Sequence, residues 1–465
     1  MRRAPFISVV IPVYNSAGYL AACLEHLAQS TFTDFECIVV DDGSTDGSAW
    51  VARRHGARVI STAGRRGPAH ARNVGARAAS GGILFFIDAD VCVHPDTVAR
   101  LLEDFDGDPA LAAVIGSYDD APGSGDFLSQ YRNLMHCYVH QTGRRRASTF
   151  WSGCGAIRRP VFLAHGGFNE SYRRPAIEDI ELGYRLISAG EQILLDRNLL
   201  AKHLKRWSLW STVKTDVICR GIPWTELILR DRKLPNDLNV QLSQRLSVAL
   251  VFVMLGIAAL TSIRWGGYFL LPLFALVLFL LARYWVDAAS PRRSKLGMAV
   301  FTTAIAGIVW LSYALGMPAV AFPVLLGYLL LFLRDKYAYA TYSRRRLTGA
   351  LLGAYMIFAI AFVLGYLPNH YLVFGFLGTL AVLVALNLKF YLFLAAKRGK
   401  LFAATAIPFH LLYFFYNGIS FSVGLARHAL RRAVKRPQPA SPAANWRQEG
   451  APHKSAPRRT SRFNR

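Results

Sequence analysis

The sequence predicts an α/β domain with a mainly parallel sheet, followed by an α-helical transmembrane domain. Two patterns in the 465-residue chain support this prediction. Up to about residue 240, strand-like and helix-like segments alternate and many residues are charged, which is typical of a parallel sheet flanked by helices. Beyond that point long apolar runs take over, most of them close to the length that crosses a bilayer. The chain is also longer than one ordinary domain.

The first half of the α/β domain reads as four strands with helices between them. Short apolar runs predict the strands, and amphipathic segments predict the helices. Because the carboxyl ends of parallel strands meet at one edge of a sheet, we expect a ligand to bind at the acidic loops there. The predicted strands are 7–13, 35–40, a weak one at 58–61, and 83–87, and the main helices are 19–28 and 67–79.

The fourth strand ends abruptly in two carboxylates, Asp88 and Asp90. Alternate side chains of an extended chain share a face, so both should point the same way. Two such carboxylates repel each other unless a cation or a donor-rich ligand lies between them. The hard divalent ions Mg²⁺ and Mn²⁺ take oxygen ligands of this kind. The alternative is an ordinary strand-to-turn boundary with aspartate as the turn former.

Two further motifs lie beyond residue 110. Residues 151–159 form a glycine-rich loop leading into a strand, where glycine would let the backbone approach a ligand closely, or would simply make a tight turn. Residues 178–186 form an amphipathic helix that opens with Glu178 and Asp179. Acids in a first helical turn can be no more than favourable partners of the helix dipole.

Four short motifs in the first 90 residues identify a family. They are Ile-Pro-Val-Tyr-Asn at 11–15, Asp-Asp-Gly-Ser-Thr-Asp at 41–46, Ala-Arg-Asn-Val-Gly at 71–75 and Asp-Ala-Asp at 88–90. Each motif alone is weak, but in this order and spacing they resemble the family 2 glycosyltransferases of GT-A fold. The resemblance runs from about residue 6 to 205.

The resemblance implies a nucleotide-sugar donor held at the edge of the sheet. Tyr14 would stack on the nucleobase, although it could instead be a core aromatic at a strand end. Arg72 would contact base or ribose, although it could be a solvated helix cation. The implied donor-binding residues are Pro12, Tyr14, Asp41, Asp42, Arg72 and Asp88. Asp90 would hold a divalent metal, Mg²⁺ or Mn²⁺, on the diphosphate, with His203 within reach of the metal.

The resemblance also implies an acceptor side. The family's catalytic base is the second acid of the Glu-Asp pair, here Asp179, which would take the proton of an acceptor hydroxyl as it attacks the anomeric carbon and inverts it. Residues 203–207, His-x-x-Arg-Trp, are similar to the Gln-x-x-Arg-Trp of membrane-embedded processive synthases. The histidine in place of glutamine, and the short distance from Asp179, put processive polymerisation in doubt. The implied acceptor-binding residues are Trp151, Gly153, Glu178, Arg206 and Trp207.

Charge and cysteine content exclude other classes. The formal net charge is +25, but the basic residues cluster between apolar runs and in the tail. That placement fits the positive-inside rule and anionic lipid headgroups better than a nucleic-acid groove, so we expect membrane lipids and no nucleic acid as partners. The 6 cysteines show no CxxC spacing, which argues against a zinc site or a disulfide framework.

The division into regions follows from these patterns. Residues 1–204 are the predicted cytoplasmic GT-A domain, and 205–240 are amphipathic helices in the membrane interface, interrupted at Pro223, or alternatively packed on the soluble domain. Residues 241–426 form a transmembrane domain of six to seven segments, and 437–465 a disordered basic tail. Apolar runs lie at 246–263, 268–282, 296–315, 318–333, 347–367, 371–394 and 401–425.

Basic residues between the runs give the orientation. Loops 283–295, 334–346 and 397–400 are rich in Lys and Arg, which places them on the cytoplasmic side with the catalytic domain, as for a bacterial inner-membrane protein. A full crossing by 401–425 would leave the basic run after it outside. Because this segment contains Pro408, His410 and Asn417, we expect a re-entrant or interfacial hairpin there.

The expected activity is metal-dependent, inverting transfer of a sugar from a nucleoside diphosphate sugar to a lipid-linked or membrane-proximal hydroxyl acceptor. Three alternatives stay open. They are a processive polysaccharide synthase that exports its product, a polyprenyl-phosphate glycosyltransferase, and a membrane scaffold or transporter with an inactive transferase domain. The sequence leaves the sugar, the nucleotide base and the acceptor undetermined.

Overall fold

The computed structural model of the protein describes residues 6–265 and 371–433. Its N-terminal region is built on one eight-stranded sheet with the strand order β3-β2-β1-β4-β7-β6-β8-β5. The strands are β1 Ile7–Val13, β2 Phe35–Asp41, β3 Arg58–Ser61, β4 Ile83–Ile87, β5 Val91–Val93, β6 Leu111–Tyr118, β7 Cys154–Arg158 and β8 Gln192–His203. The α/β class predicted from the sequence is confirmed.

Strands β1 to β4 form the parallel half of the sheet, with β1 between β2 and β4. Every residue of β4 is buried, because helices cover both faces of the sheet. Phe85 packs in the core of one face and Phe86 in the core of the other, as the alternation of a strand requires. All four strands lie where the sequence predicts them.

The other half of the sheet is mixed. Strand β7 lies antiparallel between β4 and β6, β8 runs parallel to β6, and β5 pairs antiparallel with β8. The predicted mainly parallel arrangement therefore holds for β1 to β4 but not beyond them. The β5 pairing sets Val91 opposite His203. This brings the histidine beside the Asp-Ala-Asp turn, although more than 100 residues separate the two in sequence.

Helices of the α/β region connect and cover the strands. They are α1 Ala17–Ala28, α2 Ser48–Arg54, α3 Pro68–Ala78, α4 Thr97–Gly107, α5 Phe127–Thr142, α6 Arg159–Ala164 and α7 Glu178–Ser188. Helices α8 Leu209–Lys214 and α9 Ile222–Asp231 are joined by a π-helix, Thr215–Gly221. The chain therefore stays helical through Pro223. The irregularity lies instead in the π-helix just before the proline. Bulges of π-helix and prolines are both common causes of irregular helix geometry.

The segment 205–240, which the sequence predicts to lie in the membrane interface, packs partly on the α/β domain. In α9, Trp224 donates from its indole N–H to the hydroxyl of Tyr184 at 3.1 Å, and Leu227 is buried against the same domain. Trp210 in α8 is 74% exposed, and Ile218 in the π-helix is 53% exposed. The alternative of packing on the soluble domain thus holds for α9, while α8 and the π-helix keep an apolar face open.

Four helices follow within the described residues. They are α10 Leu242–Trp265, α11 Tyr371–Leu386, α12 Leu388–Arg398 and α13 Lys400–Ala433. In the described part of the chain, Leu242–Leu260 is long and apolar enough to cross a membrane. A second such span exists if α11 and α12, which bend by 66°, are counted together. The predicted runs 268–282, 296–315, 318–333 and 347–367 and the tail 437–465 lie outside the described residues.

The predicted hairpin at 401–425 is wrong. Helix α13 runs unbroken from Lys400 to Ala433 with Pro408 inside it. The structure instead breaks the preceding run, 371–394, at Asn387 between α11 and α12. Asn387 accounts for a turn there, because its side chain donates to Ser247 and to the carbonyl of Leu383 and so competes with helical hydrogen bonding.

The C-terminal helices dock on the α/β domain through α5. Leu128, Tyr131 and Leu134 of α5 share a buried apolar cluster with Phe390 and Leu394 of α12, which Ala403 and Ala406 of α13 complete. Lys397 pairs with Asp120 at 2.6 Å at the edge of this contact. The helical part is therefore attached directly to the domain that carries the strand-end motifs.

Helix α7 should tolerate no side chain at Gly183. An added Cβ would lie 2.2 Å from the backbone nitrogen of Phe150 and 2.6 Å from the carbonyl carbon of Thr149. We expect Gly183→Ala to destabilise the fold by about 1–3 kcal/mol, because backbone on both sides would have to move. Gly18→Ala in α1, where nothing lies within 4 Å, is the matched control. Equal thermal unfolding midpoints for the two variants would contradict the packing described.

Candidate functional site

The predicted donor residues gather at the carboxyl ends of β1, β2 and β4. Tyr14 follows β1 and is 38% exposed at this edge. Asn15 ties the loop after β1 to the loop after β2, since its side-chain oxygen accepts from the backbone N–H of Thr45 at 2.7 Å. Pro12 lies within β1 opposite Val40 of β2. The strand ends thus form one continuous surface.

The two neighbouring aspartates at the end of β2 have different surroundings. Asp42 is 4% exposed, and its carboxylate accepts from the hydroxyl of Thr62 at 2.9 Å and from the backbone N–H groups of Arg66 and Gly67 at 2.8 Å each. It therefore holds the loop that leads into α3. Asp41 accepts from the backbone N–H of Ser44 at 2.9 Å through one oxygen. Asp42 therefore stabilises the loop, whereas the Asp41 carboxylate accepts fewer hydrogen bonds from within the protein.

Arg65 lies on the loop that Asp42 holds. Its guanidinium carbon is 4.2 Å from the ring centroid of Tyr14, a cation–π contact. Gly43, with φ near +82°, lets the turn after β2 pack against this loop, because a Cβ there would lie 3.1 Å from the backbone of Arg65. The stacked pair of Tyr14 and Arg65 is thus held by backbone packing and by Asp42 together.

Arg72 joins the two halves of the site. It is 4% exposed and donates to Asp88 at 2.6 Å and to Glu178 at 2.9 Å. Although burial acts to lower the pKa of the guanidinium, the charges of Asp88 and Glu178 raise it. Burial raises the pKa of Glu178, and the charge of Asp179 adds to this, while Arg72 opposes both. The solvated-cation alternative for Arg72 is therefore wrong.

Asp179 is oriented by the glycine-rich loop. Both the backbone N–H and the hydroxyl of Ser152 donate to one carboxylate oxygen of Asp179, at 3.1 and 3.2 Å. Trp151 folds back over the loop, and a Cβ at Gly153 would lie 2.8 Å from its indole. The absence of a side chain at Gly153 thus lets the Trp151 indole pack closely. The loop places Ser152 against Asp179 of α7.

Asp90 and His203 face each other across the β5–β8 pairing. The imidazole Nε2 lies 3.7 Å from a carboxylate oxygen of Asp90, and the ring of Tyr118 stacks on His203 at 4.3 Å. Burial acts to raise the pKa of Asp90, but His203 and Lys205 lower it overall, so the carboxylate stays ionised. Burial raises the pKa of Asp88, and the neighbouring charge of Asp90 adds to this.

The described residues contain no group of three or more His, Cys, Asp or Glu side chains placed to hold a metal. Asp90 and His203 are a pair of ordinary divalent-metal ligands, and Mg²⁺ typically uses one or two protein ligands and takes the others from substrate phosphates and water. The donor set therefore fits a metal that a diphosphate completes.

Trp207 and Arg206 lie at the far side of His203. Trp207 is 7% exposed, and two cations lie near its ring, with the Nζ of Lys205 at 4.4 Å and the guanidinium carbon of Arg132 at 5.5 Å from the centroid. The side chain of Arg206 is 62% exposed and approaches Asp126 at 3.7 Å. Of this predicted pair, Arg206 faces solvent and Trp207 packs inward.

Three residues of the site were missed by sequence reasoning. Arg65 follows a weak strand, Ser152 lies inside a motif noted for its glycines, and Tyr118 ends β6 without any flanking motif. A serine or an arginine in a loop carries no spacing signal. Their positions follow from loop packing and strand pairing, which a sequence pattern does not contain.

Comparison with known proteins assigns the first part of the chain to a family. Residues 8–166 match the family model described as glycosyl transferase family 2. Glycosyltransferase GlyG of Streptococcus pneumoniae serotype 4 is 35% identical over 165 residues, which are 34% of this chain and 55% of that protein. Residues 8–166 therefore match the glycosyl transferase family 2 domain, and the resemblance seen in the sequence is confirmed for these residues.

Two further proteins are similar over part of their length. Validoxylamine A glucosyltransferase of Streptomyces hygroscopicus subsp. jinggangensis is 32% identical over 230 residues, covering 42% of this chain and 54% of that protein. A mannosyltransferase structure from Pyrobaculum calidifontis, in complex with GDP-Man and Mn²⁺, is 20% identical, with a TM-score of 0.41, covering 70% of this chain and 88% of that one. The chain spans about half the length of the two curated relatives named.

Asp42 should matter for stability through its acceptor oxygens. Asp42→Asn places an amide N–H₂ against groups that already donate, so we expect a loss of about 2 kcal/mol, typical of hydrogen bonds to a charged group. Thermal unfolding of the purified protein measures the effect. Asp106→Asn, at an exposed position in α4, is the control and should leave the midpoint unchanged. An Asp42→Asn midpoint equal to that of wild type would contradict the anchoring role.

Proposed function

We propose that the chain is an inverting glycosyltransferase that moves a sugar from a nucleoside diphosphate sugar to a hydroxyl acceptor at the membrane. The observation that best supports this is the Arg72 bridge between Asp88 at the end of β4 and Glu178 at the start of α7. Glu178 is followed by Asp179, so the bridge sets an acid of the acceptor side next to the edge where the donor motifs meet. The geometry suits a reaction between two bound molecules.

The donor's nucleoside would bind between the ends of β1 and β2. Tyr14 offers an exposed aromatic face, and Arg65 covers it with a planar cation that can stack on a base in turn. Asp41 is placed to accept from a ribose hydroxyl or a ring N–H, because an ionised carboxylate only accepts hydrogen bonds. We assign Asp42 to the loop, since its oxygens already have three donors.

Asp179 would act as the general base. The acceptor hydroxyl oxygen forms its bond to the anomeric carbon while the bond from that carbon to the diphosphate oxygen breaks, and the electron pair leaves with the diphosphate. The hydroxyl proton passes to a carboxylate oxygen of Asp179. Attack opposite to the leaving group inverts the anomeric centre. Ser152 would orient the base, because its backbone N–H and its hydroxyl both donate to one carboxylate oxygen of Asp179.

Asp90 and His203 would hold the divalent metal, Mg²⁺ or Mn²⁺. Such an ion, when bound, offsets negative charge on the departing diphosphate. Asp90 supplies an ionised carboxylate, and the stacking of Tyr118 fixes the plane of the His203 ring. Lys205, whose charge acts on Asp90, would add positive charge near the diphosphate.

The acceptor is proposed to be lipid-linked or membrane-proximal. Helix Leu242–Leu260 has the length and composition of a span, and exposed Trp210 and Ile218 lie on the segment just before it. Tryptophan on a basic amphipathic segment is typical of a membrane interface. We also propose that the catalytic domain is cytoplasmic and that the chain has six to seven spans. The enzyme would add one sugar and would not polymerise.

Asp179→Asn should abolish transfer while leaving donor binding intact. An amide cannot take the acceptor proton, so we expect the rate to fall by about 10² to 10⁴ fold. Nucleoside diphosphate release by detergent-solubilised protein, with a panel of nucleotide sugars, added lipid extract and Mg²⁺ or Mn²⁺, measures the rate and identifies the donor. The length of the labelled product separates single addition from polymerisation.

Two further variants sharpen this test. Asp34→Asn changes an exposed aspartate at the opposite end of β2 and should keep full activity. Ser152→Ala removes one of the two donors to Asp179 and should lower turnover several-fold without changing nucleotide affinity. Full activity of Asp179→Asn would reject it as the base. No release from wild type with any donor would favour the inactive-domain alternative.

Arg65 should contribute to donor affinity. Loss of a stacking cation typically costs about 0.5–2 kcal/mol, so Arg65→Ala should raise the donor KM about 2- to 30-fold with kcat unchanged. Arg65→Lys keeps the charge but loses the planar group, and it should restore little of the affinity. Arg66→Ala, at the exposed neighbouring position, is the matched control. An unchanged donor KM in Arg65→Ala would show that the stack on Tyr14 plays no part in donor binding.

A further inference from the structure

Three buried polar residues from distant parts of the chain meet between the α/β domain and the C-terminal helices. Arg132 of α5 donates to one carboxylate oxygen of Asp216 in the π-helix, and the hydroxyl of Tyr416 in α13 donates to the other at 2.7 Å. All three residues are less than 8% exposed. A charged pair this deeply buried is costly to desolvate, so its presence calls for a specific reason.

The π-helix places Asp216 in this contact. A π-helical turn holds more residues than an α-helical turn, so residues within it point in directions that a regular helix would not give them. Two glycines then bring α13 close to the same segment. A Cβ at Gly221 would lie 2.6 Å from Ser420, and a Cβ at Gly424 would lie 2.6 Å from Thr225. Tyr416, Ser420 and Gly424 are four residues apart, so they share the face of α13 that packs here.

Arg132 connects this contact with the acceptor side of the site. Its guanidinium lies over Trp207, which follows His203 by four residues, and the backbone N–H of Trp207 donates to Ser129 of the same helix α5 at 2.8 Å. Trp207 is thus held by α5 at its backbone and at its ring. Asp216 accepts from both the Arg132 guanidinium and the Tyr416 hydroxyl, so it links α13 to the cation that lies over Trp207.

We propose that Tyr416, Asp216 and Arg132 are positioning residues, a relay through which helix α13 fixes Trp207 at the acceptor side of the site. This inference rests on the proposed glycosyltransferase function and deepens it. The C-terminal helix then belongs to the acceptor site and is more than a membrane attachment. The donor residues at the ends of β1 and β2 have no contact with the relay among the described residues, so donor binding should be independent of it.

Tyr416→Phe in the full-length protein tests the relay, because it removes one hydroxyl and keeps the ring. We expect the acceptor KM to rise about tenfold, while the donor KM and the hydrolysis of donor in the absence of acceptor stay at wild-type values. Arg132→Lys keeps the charge but not the planar fork, and it should give the same split. Tyr391→Phe in α12, whose hydroxyl contacts His410 instead of Asp216, is the matched control and should change neither constant.

Hydrogen exchange of the peptide spanning residues 203–209 supplies a readout that needs no substrate. Exchange there should increase in Tyr416→Phe and Arg132→Lys and stay unchanged in Tyr391→Phe. Unchanged exchange in the relay variants would overturn the inference, and so would an equal loss of donor hydrolysis and transfer, which indicates a general effect on folding. If wild type transfers no sugar, the proposed function fails, while the exchange result still decides whether α13 orders this segment.

Discussion

The buried Arg72 guanidinium is the interaction on which the rest of the site depends. It lies between Asp88, which follows the parallel strand β4, and Glu178 of helix α7, which precedes β8 in the mixed half of the sheet. Each carboxylate alone would be costly in this position, since burial raises the pKa of both Asp88 and Glu178. The shared cation opposes that effect on both groups, and in doing so it sets the distance between the donor edge and Asp179.

Such a bridge contributes specificity more than stability. Desolvation of buried ions offsets most of the Coulomb attraction between them. Apolar residues in their place could therefore stabilise the folded state equally well. An apolar contact could not balance the charges of two carboxylates and hold them at a fixed separation. The neighbouring acids Asp90 and Asp179 do not bond to Arg72 and are partly exposed. Arg72 thus neutralises Asp88 and Glu178, and His203 and Lys205 lower the pKa of Asp90.

A similar arrangement recurs between the α/β domain and the C-terminal helices. There Arg132 is buried against Asp216, and its neighbour Tyr131 lies in the apolar cluster with Phe390. Close packing at Gly221 and Gly424 leaves little room for the helices to slide. The two parts therefore meet through a defined geometry, in which polar groups select one docking and apolar area supplies the free energy.

The sequence alone determined the parallel strands, the strand-end motifs and the helix that opens with two acids, because these depend on local periodicity and on residue types that need few neighbours. Its motifs also indicated the family of residues 8–166. Only the tertiary structure decided the antiparallel insertion of β7, the pairing that brings His203 to Asp90, and the unbroken helix α13 where a hairpin was expected. Each of these depends on which distant segments pack together. Arg65 and Ser152 are found for the same reason, since a loop residue acquires a role only from the partner that folding places beside it.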